Sequence, residues 1–280
     1  MAGRFAYSLL VVSTVVCNQA RLAAEPAEVP FKLFQQHLVV TKGSIGPLHD
    51  LNMLVDTGTT PSVVDRRIAK KLGLLAEPSR LIAFGQDVPI EAAAVEGMQI
   101  GRLQTGRVPA LVSDLSYLQG VRVDAIVGLD VLARSSFSID YRRRVITFSA
   151  VEDKPAAPMK IVWPFVTVQI TIAGEPLRLL VDTGSAELVV FKSRLPAALA
   201  RLPWRGDKSV LYLSGPARLV RMDLRNAGLG PDVWEKLEAW SLDRSLASYP
   251  AEIDGVLGVP ALGCRRVAFD FERGAFGCSR

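Results

Sequence analysis

The chain has 280 residues, of which 49% are hydrophobic and 22% charged, and its formal net charge is +5. This composition is that of a globular protein and excludes disordered and fibrous classes. The positive excess is small, and no basic run with interleaved aromatic residues occurs, so nucleic-acid binding is not predicted. The length suits one large domain or two of ordinary size.

The first 24 residues have the order of a signal peptide. Arg4 provides a positive start, an apolar run extends from Ala6 to Cys17, and small residues follow at Ala23 and Ala24. We therefore expect residues 1–24 to direct export, so that the mature protein is periplasmic or secreted. An uncleaved membrane anchor is the alternative, although an apolar run of about 12 residues is short against the roughly 20 that a membrane span needs. No other contact with a membrane is expected.

The next part of the chain reads as short strands between turns. Alternation over Phe34–Val40 predicts a strand, and a second apolar strand, Leu51–Val55, leads into Asp56. The apolar pair Val63-Val64 follows. A short helix is predicted from Asp65 to Leu72, because Gly73 is a good residue to end it.

The end of this first half has an apolar-apolar-Gly element, Ile126-Val127-Gly128, and then a strand pair, Phe137–Tyr141 with Val145–Phe148. The polar, proline-rich segment that follows predicts a linker over residues 151–160. The first domain is accordingly placed at residues 30–150.

The second half, residues 161–280, repeats this order. Residues 54–58 read Leu-Val-Asp-Thr-Gly, and residues 180–184 read the same, 126 positions later. The repeat extends to a strand at Val162–Ile172 and to a second apolar-apolar-Gly element, Val256-Leu257-Gly258. Each half is thus predicted to be all-β, with a closed or sandwiched sheet and few short helices. One of those helices is expected at Asp232–Trp240, with Asp232 as its cap.

Without the signal segment the chain has two cysteines, Cys264 and Cys278. In an exported protein they are expected to form a disulfide, and two separate buried thiols are the alternative. The chain has no Cys-x-x-Cys pair and two histidines in all, so no metal site is predicted.

The repeated turn is suited to holding a carboxylate rigidly. Gly58 and Gly184 allow unusual backbone angles and close approach of another chain segment. The hydroxyl groups of Thr57 and Thr183 can bond to neighbouring backbone. Those that follow, Thr59 and Ser185, can each donate a hydrogen bond to the carboxylate of the turn.

Two such turns have a chemical use that one alone lacks. If the halves pack about a pseudo-twofold axis, the carboxyl groups of Asp56 and Asp182 meet there. Two carboxyls about 3 Å apart share one proton, so the pair holds a base and an acid together. One can draw a proton from a bound water while the other protonates the carbonyl oxygen that the water attacks.

On these motifs the chain resembles the aspartic peptidases of the pepsin and retropepsin type, most closely the retropepsin-like bacterial branch. The resemblance covers both halves and implies two barrel-like lobes in one chain. It implies a catalytic role for Asp56 and Asp182 and bracing roles for the other turn residues: Thr57, Gly58, Thr59, Thr183, Gly184 and Ser185. The threonines of the two turns should interlock, and each apolar-apolar-Gly segment should pack beneath its turn.

The resemblance also implies a flap hairpin over the cleft in each half. The candidate flap residues are Phe84 and Gly85 in the first half and Ser214 and Gly215 in the second. Neither candidate contains the tyrosine typical of a pepsin flap, so Phe84 is expected to cover the cleft instead.

The resulting prediction is a monomeric aspartic endopeptidase that acts on peptide or protein substrates without a metal or organic cofactor. Two alternatives stay open. One is a peptide-binding module that has the fold but no turnover. The other is an intermolecular dimer whose sites each pair halves from different chains.

Overall fold

The computed structural model describes residues 28–83, 86–118, 120–149, 157–203, 205–212, 215–242 and 249–280. Strands account for 58% of the described residues and helices for 9%, which confirms the all-β prediction. None of the helices in these ranges has the length and apolar character needed to cross a membrane. The predicted signal segment, residues 1–24, lies outside the described residues.

The described part of the first half contains two short helices, α1 (Arg66–Lys71) and α2 (Leu129–Leu132). Its strands are β1 (Glu28–Phe34), β2 (Leu38–Ile45), β3 (Leu48–Val55), β4 (Val63–Asp65), β5 (Glu77–Ala83), β6 (Gln86–Glu96), β7 (Met98–Ile100), β8 (Leu103–Gln104), β9 (Arg107–Ser113), β10 (Ala125–Val127), β11 (Phe137–Asp140) and β12 (Val145–Phe148).

The second half contains one α-helix, α3 (Ala197–Ala200), in its described part, and short 3₁₀ turns at Lys192–Arg194 and Val259–Leu262. Its strands are β13 (Ala157–Val162), β14 (Phe165–Ile172), β15 (Glu175–Asp182), β16 (Leu188–Phe191), β17 (Arg205–Tyr212), β18 (Gly215–Leu229), β19 (Asp232–Leu242), β20 (Gly255–Gly258), β21 (Arg266–Asp270) and β22 (Ala275–Ser279).

Each half closes into a barrel, and the order of the paired strands is the same in both. In the second half, β14, β15, β20, β16, β19 and β18 pair in turn, and β18 pairs back with β14. In the first half the order is β2, β3, β10, β4, β9 and β6. There β7, which continues from β6 beyond Gly97, pairs back with β2. The repeated sequence therefore forms a repeated barrel.

The strands that lead to the aspartates are buried on both faces. Val55 and Val181 point into the main core, and neither is exposed to solvent. The neighbouring residues, Leu54 and Leu180, belong to two smaller apolar clusters on the opposite face. Continuous apolar sequence is what a strand covered on both faces requires. The aspartates thus follow strand ends whose last three apolar residues are all buried.

One sheet joins the two halves. Its strand order is β1, β12, β11, β21, β22 and β13, and the halves meet where β11 pairs antiparallel with β21. Phe137 and Phe269 are paired across this junction, with ring centroids 4.7 Å apart. Cys278 of β22 forms a disulfide with Cys264, which lies just before β21, and the Cα–Cα distance is 5.5 Å. The expected disulfide is therefore present, and the alternative of two separate thiols is wrong.

Two local predictions have different outcomes. The helix expected after Val63-Val64 is present as α1, with the Asp65 side chain accepting a hydrogen bond from the Arg67 N–H. The helix expected at Asp232–Trp240 is wrong, because this segment is the strand β19, paired with β16 and β18. Trp234 and Leu237 are both buried and three residues apart, which imitates a helical period. Pairing on both sides overrides that local pattern.

The predicted linker, residues 151–160, has its first part, residues 151–156, outside the described residues. Residues 157–160 belong to β13, which pairs with β22 and then with β14. In the first half, β1 pairs in the same way with β12 and then with β2. Each half therefore begins with a strand that serves both the joining sheet and its own barrel.

Candidate active site

The first aspartate is held by its own turn. Asp56 directly follows β3, and its backbone N–H donates to the carbonyl oxygen of Val127 at 3.0 Å. Its carboxylate accepts hydrogen bonds from the Gly58 N–H at 2.8 Å and from the Thr59 hydroxyl at 2.6 Å. The apolar-apolar-Gly element, which contains Val127, therefore packs against this turn as the resemblance implies.

The second aspartate is held in a related way. Asp182 ends β15, where it is paired with Gly258 of the second apolar-apolar-Gly element. Its carboxyl accepts a hydrogen bond from the Gly184 N–H at 2.7 Å. The Ser185 backbone N–H also bonds to it, where the sequence suggested the Ser185 hydroxyl. The two turns thus differ in the donor that follows the glycine.

Two threonines lock the turns together. The Thr57 N–H donates to the Thr183 hydroxyl at 3.0 Å, and the Thr183 N–H donates to the Thr57 hydroxyl at 3.1 Å. Each hydroxyl then donates across the junction, Thr57 to the carbonyl of Val181 and Thr183 to the carbonyl of Val55. Both threonines are fully buried. Every bond in this network joins one half to the other.

The glycines bring the two carboxyl groups together. A Cβ atom placed on Gly58 would lie 2.5 Å from Cγ of Asp182, and one placed on Gly184 would lie 2.6 Å from Cγ of Asp56. Neither glycine has a positive φ. These positions therefore need glycine for space, since each carboxyl packs against the backbone of the opposite turn.

The environment of Asp182 favours its protonated form. Burial raises the pKa of its carboxyl well above the ordinary value, and the negative charge of Asp56 raises it further. A hydrogen bond between the two carboxyl groups acts in the same direction, while the backbone N–H groups of Gly184 and Ser185 oppose it. A pair with one retained proton is the arrangement that acid–base chemistry needs.

The sequence profile of a family described as aspartyl protease matches residues 41–131 and 168–261, one segment in each half. Together the two segments cover more than half of the chain. The chain belongs to the aspartyl protease family. A comparison with curated proteins gives no significant match. Membership supports peptidase activity in general, and the matched segments contain both Asp-Thr-Gly turns.

The two aspartates of this aspartyl protease line a cavity of about 160 Å³ between the halves. Its lining includes four apolar side chains from the strands next to the turns: Leu54, Ile126, Leu180 and Val256. Tyr117 and Tyr249 also line it. Burial and the charge of Asp56 raise the pKa of Tyr117, so its phenol stays protonated and able to donate a hydrogen bond.

These two tyrosines were not identified from the sequence. Both stand in loops that precede an apolar-apolar-Gly strand, Tyr117 before β10 and Tyr249 before β20. The loops differ in sequence between the halves, so the repeat gave no signal for them. A search for aromatic residues shortly before each apolar-apolar-Gly element would have found both.

Each half of the protease has a hairpin at the position expected for a flap. Strands β5 and β6 pair up to Ala83 and Gln86, and strands β17 and β18 pair up to Tyr212 and Gly215. Gly215 therefore begins a strand at the base of its turn. The other flap candidates, Phe84, Gly85 and Ser214, lie outside the described residues.

Proposed function

We propose that this protein is an aspartic endopeptidase in which Asp56 and Asp182 activate a water molecule for attack on a peptide bond. The observation that carries the proposal is the mutual packing of each carboxyl against the glycine of the opposite turn. That packing needs both halves of one chain. It also supports a monomer with a single site in preference to an intermolecular dimer with separate sites.

The two carboxyl groups have different roles in this proposal. Asp182 carries the shared proton, because its burial and the neighbouring charge favour the neutral form. Asp56 is the base, and the Thr59 hydroxyl and the Gly58 N–H hold its carboxyl group in place. The burial of Asp182 beside Asp56 is what supports this division of roles.

The steps balance without a covalent enzyme intermediate. Asp56 takes a proton from the water, the water oxygen bonds to the carbonyl carbon, and Asp182 gives its proton to the carbonyl oxygen. The resulting tetrahedral diol then breaks its C–N bond as Asp56 passes its proton to the departing nitrogen. One diol hydroxyl returns a proton to Asp182, which restores the starting state.

We infer that an extended peptide binds between the halves and beneath the hairpins β5–β6 and β17–β18. Such a peptide can pair its backbone with a hairpin edge as an added strand. We also propose, from the pattern of residues 1–24, that the protein acts after export, in the periplasm or outside the cell.

Peptide cleavage tests this function. Purified protein without residues 1–24 is incubated with a peptide library from pH 3 to 8, with and without a pepstatin-like inhibitor. The proposal predicts internal cleavage that the inhibitor blocks. Binding of library peptides without any cleavage would contradict it and favour the peptide-binding module.

A further inference from the structure

A second, larger cavity adjoins the aspartate pair. Its volume is about 730 Å³, and it lies between the first-half segment Thr60-Pro61 and the β13–β14 turn of the second half. It shares Tyr249 with the cavity that holds the aspartates. Thr60 directly follows Thr59, which bonds to Asp56. A peptide seated on the aspartate pair would therefore extend into this space.

The lining of this cavity is mainly apolar and comes from both halves. It includes Pro61, Leu81 and Leu111 from the first half and Trp163, Phe165 and Tyr249 from the second. Arg80 and Arg194 complete the rim. The Arg194 guanidinium donates to the carbonyl oxygens of Tyr249 and Pro250 at 3.0 and 2.6 Å, so it holds the loop that carries Tyr249.

Trp163 is the most exposed part of this lining. It is 83% exposed at the turn between β13 and β14, and Ile161 just before it is 62% exposed. Leu75 and Val233 are the other strongly exposed large hydrophobic residues in the described ranges. An exposed indole that lines a cavity is typical of a binding surface.

The equivalent position on the other side of the pseudo-twofold axis has charged residues where this cavity has apolar ones. Pro61 corresponds to Glu187, which is 126 positions later. Glu187 forms an ion pair with Lys208, and the Lys208 ammonium lies 4.0 Å from the centre of the Trp240 ring. Trp240 occupies the place of Leu111, since each pairs with an equivalent valine of its barrel. An ion pair beside an indole thus stands where the first half has a proline and a leucine.

The hairpin turns at these two equivalent positions differ in polarity in the same way. Trp163-Pro164 connects β13 to β14, whereas the polar residues Gln35, Gln36 and His37 connect β1 to β2. The site is therefore apolar toward one end and polar toward the other. A symmetric pair of aspartates is flanked by unequal binding surfaces.

We propose that the larger cavity binds a large apolar side chain of the substrate, on one side of the bond to be cleaved, and that Trp163 determines this specificity. The proposal rests on the proposed peptidase function and names the substrate class of that site. Packing of an apolar side chain against the exposed indole removes both from water, which favours such substrates over those with alanine at the same position.

Cleavage maps of a peptide library test the assignment. The wild type, Trp163→Ala, Trp163→Phe and the exposed control Leu75→Ala are compared by mass spectrometry of the products. In the wild type we expect large apolar residues to be enriched at one position on one side of the cleaved bond. Trp163→Ala should raise KM about tenfold for peptides with such a residue but not for matched alanine peptides.

The controls separate a specific effect from a general one. Trp163→Phe should retain most of the preference, and Leu75→Ala should match the wild type. A Trp163→Ala map identical to that of the wild type would overturn the proposal while leaving peptidase activity intact. If the wild type cleaves nothing, calorimetry with an aromatic-containing peptide and its alanine counterpart decides. Equal affinities of wild type and Trp163→Ala for the aromatic peptide would then overturn it.

Discussion

Gly58 of one half lies directly against the carboxyl group of Asp182 of the other. A Cβ atom on Gly58 would be 2.5 Å from Cγ and 2.7 Å from either carboxyl oxygen of Asp182. Contacts this short do not occur, so any side chain at residue 58 must displace the carboxyl or the turn. The spacing of the aspartate pair therefore depends on a residue that has no functional group.

Gly58→Ala should reduce kcat/KM by about a hundredfold or more, because a displacement of about 1 Å has that effect on positioned groups. Gly106→Ala is the matched control, since its Cβ would meet nothing within 4 Å and its φ is not positive. Activity is measured on a peptide cleaved by the wild type, and folding by circular dichroism. A folded Gly58→Ala protein with wild-type activity would contradict the packing described.

Thr57→Val should destabilise the protein. The change removes the acceptor of the Thr183 N–H and the donor to the Val181 carbonyl, both in a fully buried place. We expect a loss of about 2–4 kcal/mol in the free energy of unfolding, measured with urea. Thr57→Ser keeps the hydroxyl and should keep most of the stability. A loss below about 0.5 kcal/mol for Thr57→Val, the size of a surface effect, would show that the interlock contributes little.

The raised pKa of Asp182 predicts how stability changes with pH. In the unfolded chain an aspartate loses its proton at about pH 3.9, whereas folded Asp182 retains its proton to higher pH. The stabilisation from the retained proton is complete below the unfolded pKa. It is lost as pH rises toward the folded pKa, at up to about 1.4 kcal/mol per pH unit.

Asp182→Asn isolates this contribution. Urea unfolding of wild type and variant is compared from pH 4 to 8, and the difference between them should move in favour of the variant as pH rises. Burial also raises the pKa of Asp130 and Asp254. The wild type and the variant both contain these residues, so their contributions to the pH dependence cancel in the difference. A difference that does not vary with pH would mean that Asp182 titrates normally.

The Cys264–Cys278 bridge should contribute to stability but not to catalysis. The two cysteines are 14 positions apart, and closing a loop of about 15 residues stabilises a fold by about 3 kcal/mol in the chain-entropy description. Dithiothreitol should therefore lower the free energy of unfolding of the wild type by about that amount. A double variant, Cys264→Ala with Cys278→Ala, should be insensitive to the reductant. Equal sensitivity of both proteins would exclude the bridge as the cause.

The sequence predicted the repeated turns and the strands that lead directly into them. The strand expected at Phe34–Val40 is wrong, because residues 35–37 form the turn between β1 and β2. The Asp-Thr-Gly turns, the strands before them and the apolar-apolar-Gly elements recur in both halves, so each copy supported the reading of the other. The space requirement of Gly58 was predicted as close approach of another segment, but the partner, Asp182, is known from the structure. A contact between halves is set by tertiary packing, which local sequence does not specify.

Features that belong to one half were harder to predict. Asp232–Trp240 has a short helical spacing of apolar residues, and its strand character comes from pairing on both sides. The cavity at Trp163 is lined by Pro61 and Leu111, whose equivalents in the second half are Glu187 and Trp240. Such differences appear only when equivalent positions are compared in space.

The measurement that tests the central claim most directly is peptide hydrolysis by Asp56→Asn and Asp182→Asn, each alone and then mixed. If one site is formed from both halves of a single chain, each variant should lose activity by about a thousandfold, the range of acid–base contributions, and the mixture should stay inactive. Retention of more than about a tenth of wild-type activity by either variant, or recovery of activity on mixing, would contradict the account, because a site lacking one carboxyl cannot supply both acid and base.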